Sequence, residues 1–255
     1  MDLPLRQNGV KEGVARALSQ ACTYGMDLQK TFMQVHGKYI SFPDFMKVIH
    51  RGMLQSSLTS GLVYTSYFTV FNAFSTSNCH PFASSLASFS SSIIKIPISN
   101  SMRVMQTHRP GDGLHNVFQA AKKIHKHQGV RGLYTGYGMS FVEDAIEMDL
   151  RIRFFDFFSQ LFGNTLPPGP QKGFFIGALS GGIVAAITTP FDTIRANLAV
   201  QASSGSKTKV ALNIFGTSKL LIKTHGPIGL FRGVEYRVMA TGLKMALFYA
   251  FMEVL

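Results

Sequence analysis

Apolar residues run through the chain in six long stretches, about 5–35, 52–75, 80–108, 136–160, 169–202 and 233–255. Polar residues interrupt each stretch at helical spacing, three or four apart, rather than at every second position, which predicts helices and no sheet. The stretches are long enough to cross a bilayer, and helices that surround a wet or protein-filled centre carry such interruptions on their inner faces. The expected fold is therefore an all-α membrane protein, one domain over residues 1–255, with six transmembrane helices and both termini on one side. Between the long stretches, Leu114, Phe118, Ala121 and Ile124, and then Val210, Ile214, Leu221 and Ile222, predict short amphipathic helices able to lie on a membrane surface.

Composition agrees with a membrane protein: 46% of the residues are hydrophobic, 15% are charged, and the mean hydropathy is slightly positive. The net charge of +12 raises nucleic acid as a partner, but the bases sit in separated loops, with neither a zinc-ligand pattern nor an aromatic RNA-binding strand beside them. Thirteen lysines and arginines fall in the loops 36–52, 108–131 and 203–232, against two acids, Asp44 and Asp112, while 76–79 and 161–168 carry no charge. That asymmetry assigns the long loops to the inside of the membrane. Cys22 and Cys79 give neither a disulfide framework nor metal spacing. The first ten residues resemble neither a transit peptide nor a signal peptide. The histidines lie mostly in loops, and no nucleophile, cofactor or metal constellation accompanies them, so an enzyme is not expected.

The loops and helices repeat. Pro190-Phe-Asp192-Thr-Ile-Arg195 is followed by Gly226-Pro-Ile-Gly229-Leu-Phe231-Arg232-Gly233; Pro97-Ile-Ser99-Asn-Ser-Met102 by Gln128-Gly129-Val-Arg-Gly132-Leu-Tyr134-Thr-Gly136; and Gly25-Met-Asp27-Leu-Gln-Lys30 by His50-Arg51-Gly52. The closing glycines are 84 and 97 residues apart, and Gln34 and Gln106 each follow the proline position by nine residues. Nearly the whole chain thus resembles the mitochondrial carrier family, whose repeat reads proline, acid and base, an amphipathic segment, and then glycine, aromatic, base and glycine. The resemblance implies three pseudo-symmetric repeats, about 1–75, 76–160 and 161–255, in the mitochondrial inner membrane, with the short amphipathic helices and basic loops on the matrix side. It also implies cardiolipin at the helix-starting glycines Gly52, Gly113, Gly136 and Gly233. The first matrix segment is abbreviated, with 27 residues from Gly25 to Gly52 against 39 and 43 in the other copies.

In the family, the acid of one repeat pairs with the base of the next to close a gate towards the matrix. Here the ring reads Asp27 against Met102, Ser99 against Arg195, and Asp192 against Lys30, so one pair of three is complete. Arg103, one residue late, points about 100° away. The second network, towards the intermembrane space, reads Phe71-Asn72 with Ser75 and Phe155-Asp156 with Ser159, and no copy has both charges. Mid-cavity positions on the even-numbered helices are Thr59, Glu143 and Asp144, joined by Glu147, Arg151 and Lys244. Asp149 and Arg153 place charge on a second face of the fourth helix, which suggests that other inner-membrane subunits cover it. These departures tip the expectation towards a structural or accessory subunit of a respiratory-type complex that keeps the carrier fold. The alternative is an active carrier, moving a cationic or zwitterionic metabolite by alternating access.

Overall fold

The computed structural model describes residues 9–50, 52–74, 80–107, 116–162, 169–203 and 214–254. Among them the secondary structure is helical throughout: α1 (Gly9–His36), α2 (Phe42–Val48), α3 (Met53–Phe74), α4 (His80–Thr107), α5 (Val117–Leu133), α6 (Tyr137–Leu161), α7 (Pro170–Ser203), α8 (Ile214–His225), a short 3-10 turn at Pro227–Phe231, and α9 (Val234–Val254). The long helices α1, α3, α4, α6, α7 and α9 match the six apolar stretches. Apart from the start of α1, which follows the undescribed residues 1–8, every boundary agrees within one residue.

Each long helix packs on the next, and α9 returns to α1, so the six form a closed ring. Inside it the odd members α1, α4 and α7 also touch one another. Pro97 and Pro190 lie within α4 and α7, where each removes one backbone donor without ending the helix. Only Pro170–Gln201 among the described residues is long and apolar enough to cross a membrane by length and composition. The other long helices fall short because polar residues interrupt their apolar runs, charged ones in α1 with Arg16, Asp27 and Lys30, and uncharged serines and threonines in α3.

One local order occurs three times: a long helix, a short helix laid against its C-terminal half, a left-handed glycine and a returning long helix. The glycines are Gly52, Gly136 and Gly233, with φ of +78°, +78° and +72°. A side chain would be strained in that conformation, so the residue type at this turn is dictated by the backbone. The short helices bury part of the expected stripes, Ile124 of α5 and Leu221 of α8 among them. On α5 the buried face is Ala120 and Ile124, packed on Val104 and Met105 of α4, while Phe118 is 82% exposed. On α8, Leu221 packs on Ile194 and Leu198 of α7, and Ile222 faces outward. Phe118 and Ile222 of the same stripes stay exposed because these helices are apolar on two sides. Leu114 and Val210 lie outside the described residues. The abbreviated first segment still forms α2, and a Cβ at Gly25 of α1 would lie 3.1 Å from Phe45 of α2.

The closest helix pair, α7 with α9, depends on small residues. A Cβ at Gly181 would meet the Met245 side chain at 2.8 Å and the Thr241 carbonyl oxygen at 3.0 Å, and at Gly177 the Met245 carbonyl oxygen at 2.8 Å. Backbones this near gain dispersion and weak polar contacts that larger residues forbid. Gly181→Leu is expected to destabilise the fold by about 1–3 kcal/mol, read as a lower melting temperature in mild detergent.

Candidate functional site

The ring encloses a cavity of about 220 Å³ lined by residues from all six long helices, charged ones from every long helix but α3. At one end the odd helices close it through Asp192 of α7. Its carboxylate accepts from Lys30 of α1 at 3.0 Å, from Arg103 of α4 at 2.5 Å, from Gln34 at 3.0 Å and from Arg237 of α9. Arg195 donates to Ser99 of α4 at 3.2 Å, and His36 of α1 reaches the Thr107 carbonyl of α4 at 2.8 Å. Nearby on the surface, Tyr39 donates to Glu235 at 2.6 Å, and that bond holds its phenol above the ordinary value.

The expected Lys30–Asp192 pair is therefore present, and the expected gaps beside it are filled from elsewhere. Asp27 does not stand against Met102 alone: it accepts from Lys244 of α9 at 2.6 Å and from Gln20 at 2.7 Å. Arg195, which lacks an acid at position 99, lies 3.4 Å from Glu143 of α6. Arg103 reaches Asp192 despite its angular offset, because a long side chain can bend back over the turn that its Cβ does not face. Arg237 also donates to Glu143 at 3.0 Å and to Thr188 at 2.8 Å, and lies 3.8 Å from Glu147. Of the three pairs expected in the ring only Lys30–Asp192 is thus present among the described residues, and Asp27 and Arg195 take their ionic partners from even helices instead.

Further along the cavity, Lys95 of α4 pairs with Asp144, and Arg151 pairs with Glu147 on the same helix. Thr59 lines the wall and donates to its own helix at Gln55. The cavity candidates named from sequence are thus brought together, but the structure adds Arg16, Lys95, Arg103 and Arg237. Arg237 had a signal: with Thr241 and Lys244 it falls on one face of α9, four and seven residues apart.

The opposite end is closed by aromatic side chains. Tyr64 of α3 meets Phe248 of α9 edge-on at 5.7 Å and accepts from Arg151 of α6 at 3.0 Å, while Phe155 of α6 stacks on Tyr249 of α9 at 4.2 Å. Tyr67, Phe68 and Phe71 extend the layer. The aromatic positions of the expected ionic motif, Phe71 and Phe155, are in this layer; Ser75 lies outside the described residues. The outward charges on α6, Asp149 and Arg153, pair with each other at 2.8 Å and are largely exposed. Of the glycines expected to hold lipid, Gly52, Gly136 and Gly233 precede the N-termini of α3, α6 and α9, and Gly113 lies outside the described residues.

A closed ring of long helices thus surrounds a charged cavity, with an ion-pair layer towards one end and an aromatic layer towards the other. The mitochondrial carrier protein family model matches residues 69–166 and 167–255. The chain belongs to the mitochondrial carrier family. It is 25% identical to the mitochondrial glycine transporter of Emericella nidulans over 84% of this chain and 73% of that protein. It is 26% identical to the probable chloroplastic S-adenosylmethionine carrier 2 of Arabidopsis thaliana over 98% of this chain and 73% of that one. A shorter match, 28% identical over 52% of this chain and 42% of the relative, joins it to mitochondrial thiamine pyrophosphate carrier 1 of Yarrowia lipolytica. These names describe transporters, and they overturn the expectation of an accessory subunit of a respiratory-type complex. That expectation rested on missing ion pairs, and the structure supplies their replacements.

Asp192→Asn leaves three cations without their shared carboxylate and is expected to cost about 3–5 kcal/mol. Asp44→Asn on α2, whose 4.0 Å pair with Lys47 is exposed, should change stability by no more than about 0.5 kcal/mol. Thermal unfolding of the two variants in the same detergent checks the contrast.

Proposed function

We propose that this protein is a solute carrier of the mitochondrial inner membrane that moves a small metabolite by alternating access. In this reading the six long helices span the bilayer as three repeats, with the basic loops in the matrix. The observation that carries it is the pair of unlike closures around one cavity: an ion-pair layer centred on Asp192 and an aromatic layer centred on Tyr64. A carrier needs two gates that open in turn, each of them strong enough to hold and weak enough to release. The ionic layer joins α1, α4 and α7 and forms the gate towards the matrix. Glu143, Glu147 and Asp27 are already shared with Arg237, Arg151 and Lys244, so a solute entering the cavity competes for partners of the same network that holds the gate. Binding is thereby coupled to opening. The relatives' names span glycine, S-adenosylmethionine and thiamine pyrophosphate, so no single solute is transferred from them.

The same reading seats anionic lipid headgroups, cardiolipin among them, at the N-termini of α3, α6 and α9 after Gly52, Gly136 and Gly233. Free backbone donors and the positive end of a helix dipole favour anions there. The exposed Phe118 and Phe215 on α5 and α8 suit burial in the interface beside them.

Purified protein in cardiolipin-containing liposomes should take up or exchange at least one metabolite from a broad panel. Absence of both uptake and ligand-dependent thermal stabilisation across that panel would overturn the proposal. Ser99→Asp places a carboxylate where Arg195 now finds a hydroxyl. It is expected to raise the melting temperature and to slow exchange severalfold, since a stronger matrix gate opens less often.

A further inference from the structure

Seven bases and five acids line the main cavity. Six of those bases have a carboxylate within 4.0 Å. Arg16 of α1 is the exception among the described residues. Its guanidinium carbon lies 4.5 Å from the centroid of the Tyr64 ring, and its Nε and Nη1 are shut away from solvent without an acceptor. Ser88 of α4 is 1% exposed, and its hydroxyl also lacks a partner. Both residues line a chamber of about 80 Å³ that shares Arg16, Tyr64 and Lys95 with the main cavity.

The acceptors around this chamber are already engaged. Glu147 is held by Arg151, and Asp144 by Lys95 and Ser92. A cationic solute would have to displace a resident base to reach either carboxylate, whereas an anionic head finds two unused donors. A buried guanidinium without an acceptor carries an uncompensated desolvation cost, which an incoming anion removes through charge-assisted bonds. The chamber has room for roughly two or three water molecules' worth of atoms, enough for a carboxylate or a phosphate. We infer that Arg16 and Ser88 form the subsite that holds the anionic head, a carboxylate or a phosphate, of the translocated solute. This narrows the expectation of a cationic or zwitterionic solute to one that carries an acid group, and rests on the carrier reading above.

The test uses the full chain in cardiolipin-containing liposomes, with exchange measured for glycine, citrate, inorganic phosphate and adenosine monophosphate, and for choline and putrescine as cations without an acid group. The expected result is exchange of at least one acid-bearing solute, with KM raised roughly tenfold or more by Arg16→Gln. Arg16→Lys should recover part of that loss, and Ser88→Ala should raise KM severalfold. Preference between the carboxylates and the phosphates identifies the head. Exchange of choline or putrescine alone, or acid exchange with wild-type KM in both Arg16→Gln and Ser88→Ala, overturns the subsite and leaves the carrier reading standing. If Arg16→Gln does not fold, an unchanged KM in Ser88→Ala is decisive against the subsite. If no solute on the panel exchanges or raises the melting temperature, the carrier reading fails and the subsite falls with it.

Discussion

The carboxylate of Asp192 is the point on which the closed end depends, because three other helices each send a cation to it. Lys30, Arg103 and Arg237 come from α1, α4 and α9, and Arg237 divides its donors between Asp192 and Glu143. A lone buried pair often fails to recover its desolvation cost, but a branched network satisfies more of each group's hydrogen-bonding capacity and spreads the charge. Such a network is also brittle: withdrawing one acid strands several bases together. That property suits a gate, since a solute need perturb only one branch to weaken the rest.

The fold was legible in the sequence because its signals are local. Apolar runs with helical interruptions fixed the six long helices, and the positions of Gly52, Gly136 and Gly233 announced turns whose left-handed φ the backbone requires. The ion pairs were much less legible. Comparing acid and base within the repeat motif assumed that partners come from equivalent positions on neighbouring odd helices. Ser99 and Met102 therefore looked like losses. Partners in fact arrive from α6 and α9, as Glu143 and Lys244 do, and from an arginine one position out of register. Sequence spacing states where a Cβ points, and the reach of lysine and arginine exceeds the difference between adjacent positions.

The two closures obey different physics. Ion pairs are directional and couple specific helices, so opening them exposes charge that must find water, solute or another partner. The Tyr64, Phe155, Phe248 and Tyr249 layer is held by area and edge-to-face packing, with one polar tie to Arg151. Aromatic layers separate without leaving a stranded ion. The absence of a complete charge pair in the matching motif of the even helices is therefore a change in the kind of seal rather than its loss.

The helix α6 shows how little spacing alone decides. Glu147 with Arg151 and Asp149 with Arg153 are the same i, i+4 arrangement, two residues apart. The first pair faces the cavity, where Arg151 also anchors Tyr64 and Glu147 lies within reach of Arg237, so it joins both seals to the binding space. The second is largely exposed on the outer face and closes on itself at 2.8 Å. One face is used by the mechanism, and the other neutralises itself where it meets the surroundings.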